Sequence, residues 1–208
     1  MDMKHSSPKS ELSKKRMIQA AGATFREHGV GGVGVDGLAR AANFTSGAFY
    51  FHFKSKMDAF IASVEDSMDD LKVSIQRFQT RERASWVHAF ASFYLGFKRT
   101  CGLRDACAVP VLSSEVERAG EDARTAYEAK IQEVFATLSS GLTDVPDCSS
   151  REQALALMAL LAGGAMISRT VVDPALSEEI GAAVQKAAEQ LVAPGQVSPQ
   201  ATTTEQQS

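Results

Sequence analysis

The chain has 208 residues, enough for one large or two small domains, and its 44% apolar content is ordinary for a folded globular protein and argues against general disorder. Three cysteines, an odd number, fit a reducing compartment better than a disulfide framework, and the longest wholly apolar-or-glycine run, Ala154 to Ile167, is shorter than the roughly 20 residues a membrane helix needs. The net charge of −3 hides an asymmetry, because residues 1–60 hold nine Lys and Arg against five Asp and Glu while the remainder is acidic.

Residues 1–9 are polar and of mixed charge and read as a mobile arm. Lys4 and Lys9, with Lys14, Lys15 and Arg16, either lie along a nucleic-acid backbone or serve only as a solvated basic tail. From Ser10 to His28 the spacing of Ile18, Ala21 and Phe25 predicts a helix that ends at glycine. The run GVGGVG, Gly29 to Gly34, then satisfies the GxGxxG fingerprint of dinucleotide-binding enzymes. That fingerprint needs a strand before it, whereas MIQAAGATFREH is an alanine-rich amphipathic helix. The glycines therefore read as a loop between helices, and a nucleotide-binding enzyme is a remote alternative.

The stretch VDGLARAANFTSGAFYFHF, Val35 to Phe53, changes its apolar spacing in a way that fits two short helices across a tight turn. Val35, Leu38 and Ala39 give one stripe; Phe44, Ala48 and Phe51, with Phe49 and Phe53 nearby, give the next. Asn43 suits the turn, since its short polar side chain tolerates left-handed backbone. Thr45 is placed to cap the second helix. Ser46, Gly47 and Ala48 are small, so the start of that helix can approach another surface with its free N–H groups and positive dipole end outward. In helix-turn-helix proteins the second helix enters the DNA major groove in this orientation.

These residues resemble the DNA-binding domain of the TetR/AcrR family of bacterial one-component regulators. The likeness rests on Ala42-Asn43 at the turn, Thr45 to Ala48 at the helix opening, Phe49-Tyr50-Phe51-His52-Phe53, and Ser55-Lys56; it covers about residues 12 to 60. Asn43, Ala48 and Gly34 depart from the family's usual glycine, hydroxyl residue and threonine. The resemblance implies a homodimeric, cytoplasmic repressor without enzymatic activity or cofactor, reading a palindromic double-stranded operator. By the same likeness Thr45, Ser46 and Gly47 face the groove, and Tyr50, His52 and Lys56 contact phosphates; the lesser alternative for Lys56 is a merely exposed lysine.

Ser55 and Asp58 form a capping-box pattern that opens a fourth helix to about Phe78. After a charged break at Thr80 to Arg83, the segment Ala84 to Cys101 carries Phe90, Phe93, Tyr94 and Phe97 at i, i+3, i+4 and i+7, either as plain core or as a pocket lining. Pro110 marks a helix start or kink and Gly120 its end; Gly120 to Ser140 is amphipathic, with Tyr127 on its apolar side. Ala154 to Val172 is apolar nearly all round and must be buried on two sides, by its own core and by a second copy of the chain. Pro174 begins a last helix to about Leu191, and residues 193–208 have the composition of a disordered tail.

The second half shows no catalytic or metal-ligand spacing, so a binding domain is expected. The stretch Cys107 to Arg124 is similar to that of an electrophile-sensing branch of the family, in which a cysteine begins the sixth helix. Two effector schemes follow. In one, Cys107 is a reactive thiolate, its pKa lowered by a helix N-terminus and by Arg104; its bland counterpart is a small buried hydrophobe. In the other, an aromatic or lipophilic ligand binds reversibly beside Phe90, Phe93, Tyr94, Phe97 and Tyr127. The expected architecture is all-α: a three-helix helix-turn-helix domain over residues 1–54, and a sensing and dimerisation bundle over residues 55–192.

Overall fold

The computed structural model describes residues 8–145 and 148–192. The arm's Lys4 and the tail from 193 lie outside the described residues. Nine α-helices are present among the described residues, with no strand beyond an isolated bridge between Val145 and Cys148. The chain is all-α.

Helix α1, Pro8–His28, starts on a proline, whose missing N–H is unneeded in a first turn, and ends at Gly29, where φ is +70°. Met17, Ala21 and Phe25 form its buried stripe, and Phe25 meets Phe60 edge to face with ring centroids 5.3 Å apart. Ile18, expected in that stripe, sits half-buried beside it. Helices α2, Val35–Ala41, and α3, Ser46–His52, follow. Asn43 adopts φ 60°, and Thr45 Oγ1 accepts a hydrogen bond from the Ala48 amide at 3.2 Å, so turn and cap form as their residue types dictate. The apolar face of α3 differs from the expected one. Phe49 and Phe53 are buried with Phe44 and Ala48 half-buried, whereas Phe51 is 76% exposed.

Helix α4, Lys56–Glu82, is 27 residues long, hence about 40 Å at 1.5 Å per residue. Ser55 Oγ caps it by accepting from the Asp58 amide at 3.0 Å; the Asp58 carboxylate turns back to the Lys54 amide at 2.9 Å, one residue before the cap. It continues past Phe78 until Arg83, at φ 49°, breaks it. Packed against α1, α5 and α7, it runs through both halves of the molecule.

Helix α5, Trp86–Phe93, passes into a wide π-helical turn over Tyr94–Lys98. The extra residue in that turn rotates the later side chains. Tyr94, Leu95 and Arg99 are buried, and Phe97, expected on the buried stripe, is 52% exposed. Arg169 closes the end of this helix, donating to the carbonyls of Lys98, Arg99 and Cys101 at 2.9, 2.8 and 2.8 Å.

Helices α6, Ala108–Arg118, α7, Glu121–Ser140, α8, Ser150–Thr170, and α9, Pro174–Val192, complete the bundle. Helix α8 opens with a full capping box between Ser149 and Glu152, which the sequence reading started four residues too late. By length and mean hydropathy, 1.2, α8 would suit a membrane span, yet Gln153 and Ser168 are built into its buried face and Gln153 donates to the Thr143 carbonyl at 2.9 Å. It packs against α9 closely enough that a Cβ on Gly164 would come within 2.7 Å of Val184. One connected set of buried apolar side chains runs from Met17 to Ala188.

Candidate DNA interface and effector cavity

The outer face of α3 presents Thr45, Gly47, Tyr50 and Phe51, all exposed, with Tyr50 at 60%. Ser46 is tied inward: its hydroxyl donates to the Asp36 carboxylate on α2. Lys56 also has a local task. Its ammonium donates to the carbonyls of Val30 at 2.8 Å and Val33 at 3.2 Å, fastening the glycine-rich loop to the start of α4 and leaving one N–H for another acceptor. His52 is half-buried; burial first, then the nearby Lys14 cation, lower its pKa, which favours the neutral imidazole. Phe51 was not singled out as a surface group, because its spacing from Phe44 and Ala48 placed it on the apolar stripe. Only the burial of Phe53 shows which face turns inward.

A cavity of about 450 Å³ lies where α1, α4, α5 and the segment before α6 meet. Phe90, Phe93, Tyr94 and Cys107 line it together. Phe97 does not, because the π turn carries it outward. Tyr127 does not either; it borders a separate depression, with its hydroxyl 3.2 Å from Ser113 Oγ. Sequence reasoning missed the walls supplied by α1 and α4, among them Gly22, Arg26, Asp66 and Asp70.

The cavity's cations are engaged. Arg26 donates to the Arg104 carbonyl from Nε at 2.9 Å and Nη2 at 2.6 Å, and from Nη1 to Ser67 Oγ at 3.1 Å. Lys98 donates to the Asp105 carbonyl at 2.6 Å, and Arg104 pairs with Glu27 at 2.7 Å. Thus the 104–107 segment is a wall of the cavity and is fastened to α1 by two side chains.

Cys107 is the cap residue of α6, as expected, but its pKa moves the opposite way from that expectation. Burial pushes the thiol up, and contacts with Tyr94, the Val109 amide, Lys98 and Arg26 offset this only in part. Arg104, expected to lower it, is engaged with Glu27. The Tyr94 hydroxyl lies beside this thiol and interacts with it, but it is fully buried without a hydrogen bond of ordinary geometry, and burial first, then Cys107, raises its pKa well above the ordinary tyrosine value. Cys101, Cys107 and Cys148 are all free thiols, and Cys101 Sγ lies 3.6 Å from the Lys98 carbonyl.

An all-α chain with two short helices set at an asparagine turn, capped by threonine and joined to a larger bundle by one long helix, has the helix-turn-helix arrangement. Residues 17–62 match the model for bacterial regulatory proteins of the tetR family. The HTH-type transcriptional repressor SCO4008 of Streptomyces coelicolor is 32% identical over 65 residues, 31% of this chain and 34% of that relative, so the match spans about a third of the relative's length. Solved structures share the fold over nearly the whole chain. Reduced NemR of E. coli has a TM-score of 0.75 at 20% identity, covering 88% of this chain and 100% of its own. A TetR-family regulator from Cytophaga hutchinsonii has a TM-score of 0.75 at 18% identity, covering 93% and 99%. FadR of Bacillus subtilis in complex with stearoyl-CoA has a TM-score of 0.65 at 14% identity, covering 87% and 98%.

Proposed function

We propose that this protein is a transcriptional repressor that binds a palindromic operator as a homodimer through α3 and releases it when a small molecule occupies the cavity beside α1. The observation that carries the reading is the composition of that cavity's wall: α1 belongs to the helix-turn-helix unit, α5 to the bundle, and α4 to both. A ligand that fits one arrangement of these helices better than another shifts the balance between them, by no more than its difference in affinity for the two. Two recognition helices related by a twofold axis require half-sites about 34 to 36 Å apart or a multiple of that.

The dimer reading rests on α8 and α9. Leu155, Met166 and Ile167 on α8 and Leu176 on α9 are exposed by 37, 51, 52 and 43%, large apolar side chains left uncovered on the last two helices. Joined to its symmetry mate, that face makes a four-helix interface. Thr45 and Gly47 at the exposed start of α3 meet the groove, with Ser46 held by Asp36; Tyr50, His52 and the remaining N–H of Lys56 meet phosphates.

A second reading, a thiol switch at Cys107, is favoured by one observation: Cys107 lines the same cavity. Its raised pKa makes the thiolate scarce at neutral pH, so reversible binding is the preferred scheme. Fluorescence anisotropy on the DNA upstream of the protein's own gene, with excess competitor, tests both. Specific binding is expected for wild type and Cys107→Ser alike, with an electrophile releasing neither. Release of wild type alone would establish the thiol switch, and absence of specific binding would refute the repressor reading.

A further inference from the structure

The cavity's side chains are unequally satisfied, and the difference points to a class of ligand. Arg26, Lys98 and Arg104 all have partners at 2.6–3.1 Å, as given above. Asp66 and Asp70, one turn apart on α4 and both on the cavity wall, form no hydrogen bond or ion pair among the described residues. Burial, reinforced by Asp70, raises the pKa of Asp66, as expected of a carboxylate that has lost water without gaining a partner. Arg26 and Lys98 have their N–H groups engaged by carbonyls and a hydroxyl, so the open hydrogen-bonding capacity in the wall lies on two carboxylate acceptors, Asp66 half-buried and Asp70 exposed at the rim.

A pair of carboxylates alone would say little, since acids on a long helix are often only solvated. The second observation lies elsewhere on the same wall. Tyr94 is only 1% exposed, and apart from the adjacent Cys107 thiol, which is out of ordinary hydrogen-bond geometry, its hydroxyl has no partner. Buried hydroxyls without partners are rare and costly, so an unpaired one in a cavity wall marks a place where a bound molecule supplies the bond. Phe90 and Phe93 complete an aromatic side, in T-shaped and tilted contact with Phe78.

We propose that the effector is an organic cation, an amine borne on an aromatic or apolar body, with its ammonium donating to Asp66, Asp70 and the Tyr94 hydroxyl oxygen and its apolar part against Phe90 and Phe93. This rests on the effector reading of the cavity and names the chemistry it selects. The ammonium supplies what the two carboxylates lack, a charge-assisted hydrogen bond in a partly desolvated site. The aromatic rings favour the same charge through their negative faces. Because Asp66 and Asp70 stand on α4 opposite Arg26 of α1, a cation placed between them also competes with Arg26 for their field. That weakens the attraction holding α1 to α4 and gives the ligand a way to act on the helix-turn-helix unit.

The test uses the full-length protein and three probes of one shape: 4-phenylbutylamine, 4-phenylbutan-1-ol and 4-phenylbutyrate. Binding is measured by isothermal titration calorimetry, and operator release separately by anisotropy. The amine is expected to bind about tenfold or more tightly than the alcohol, and the carboxylate more weakly than either. In Asp66→Asn/Asp70→Asn, amine affinity is expected to fall to that of the alcohol, while alcohol affinity and the far-ultraviolet circular dichroism stay unchanged. Equal affinity of amine and alcohol, preference for the carboxylate, or no saturable binding by any probe would each overturn the proposal. Tight, aspartate-dependent amine binding without operator release would uphold the ligand class and overturn the effector reading instead.

Discussion

Around α3 the polar groups that shape the backbone have partners: Thr45 holds the Ala48 amide, Ser46 holds Asp36, and Lys56 holds two carbonyls of the glycine-rich loop. In the cavity, Asp66, Asp70 and the Tyr94 hydroxyl have none, although they line a wall shared with the same α1. A surface that must present fixed side chains to a rigid duplex gains from rotamers and loops that are already held, since ordering them on binding costs affinity. A cavity that must respond to a ligand gains from groups whose bonding is completed only when the ligand arrives. In the proposed repressor, satisfied polar groups at one place and open ones at the other separate the part that reads from the part that senses.

The strongest way to break this contrast is to loosen the reading unit from beneath. Phe49 is fully buried under α3 and in contact with Phe53, ring centroids 5.3 Å apart. Phe49→Ala is expected to cost about 3–5 kcal/mol in urea denaturation and to abolish operator binding. A loss below about 1 kcal/mol would mean that α3 is not held by its core.

Lys56→Ala comes next. Two hydrogen bonds from a charged donor are lost, and the carbonyls of Val30 and Val33 must turn to water, so destabilisation of about 1.5–3 kcal/mol is expected. The slope of log affinity against log salt should also fall by about 1 if the remaining N–H meets a phosphate. An unchanged slope would leave Lys56 as a fastener of the loop alone. Smaller again is Thr45→Ala, which removes the α3 cap and should cost about 1 kcal/mol, with Thr45→Asp restoring stability while weakening DNA binding by its charge.

The two regions also differ in how far the sequence discloses them. The helix-turn-helix was legible because its determinants are local: Asn43 at φ 60°, Thr45 three residues before the amide it caps, glycine ending α1. Even there, Phe51 was put on the wrong face, since three phenylalanines within five residues leave the period ambiguous. In the cavity, the aromatic residues of α5 were found only up to Tyr94, because a π turn leaves no periodic mark before it shifts the register of Phe97. The direction of the Cys107 shift was misread for a related reason. A nearby arginine in sequence says nothing about burial, and Arg104 turned out to face Glu27. The walls from α1 and α4 come from residues 33 to 89 positions from Cys107, a juxtaposition that only the packing of α4 on α1 creates.

The smallest expected effect bears most directly on the unsatisfied carboxylates. The folded-state pKa of Asp66 is raised, so above that value wild type carries an ionised group that the fold disfavours relative to the unfolded chain. Asp66→Asn should therefore be slightly more stable at neutral pH, by about 0.5 kcal/mol or less given the partial exposure of the site. The sign reverses the usual acid-denaturation pattern: as pH falls through the carboxylate range, wild type takes up a proton in the folded state, its penalty disappears, and the two melting curves should converge. A variant gaining stability at neutral pH while losing amine affinity would show a carboxylate retained at a cost to folding. Were Asp66→Asn instead less stable at neutral pH, with the gap closing in acid, Asp66 would be engaged in an attraction within the fold, and the contrast between a satisfied reading surface and an unsatisfied cavity would fail at its most exposed point.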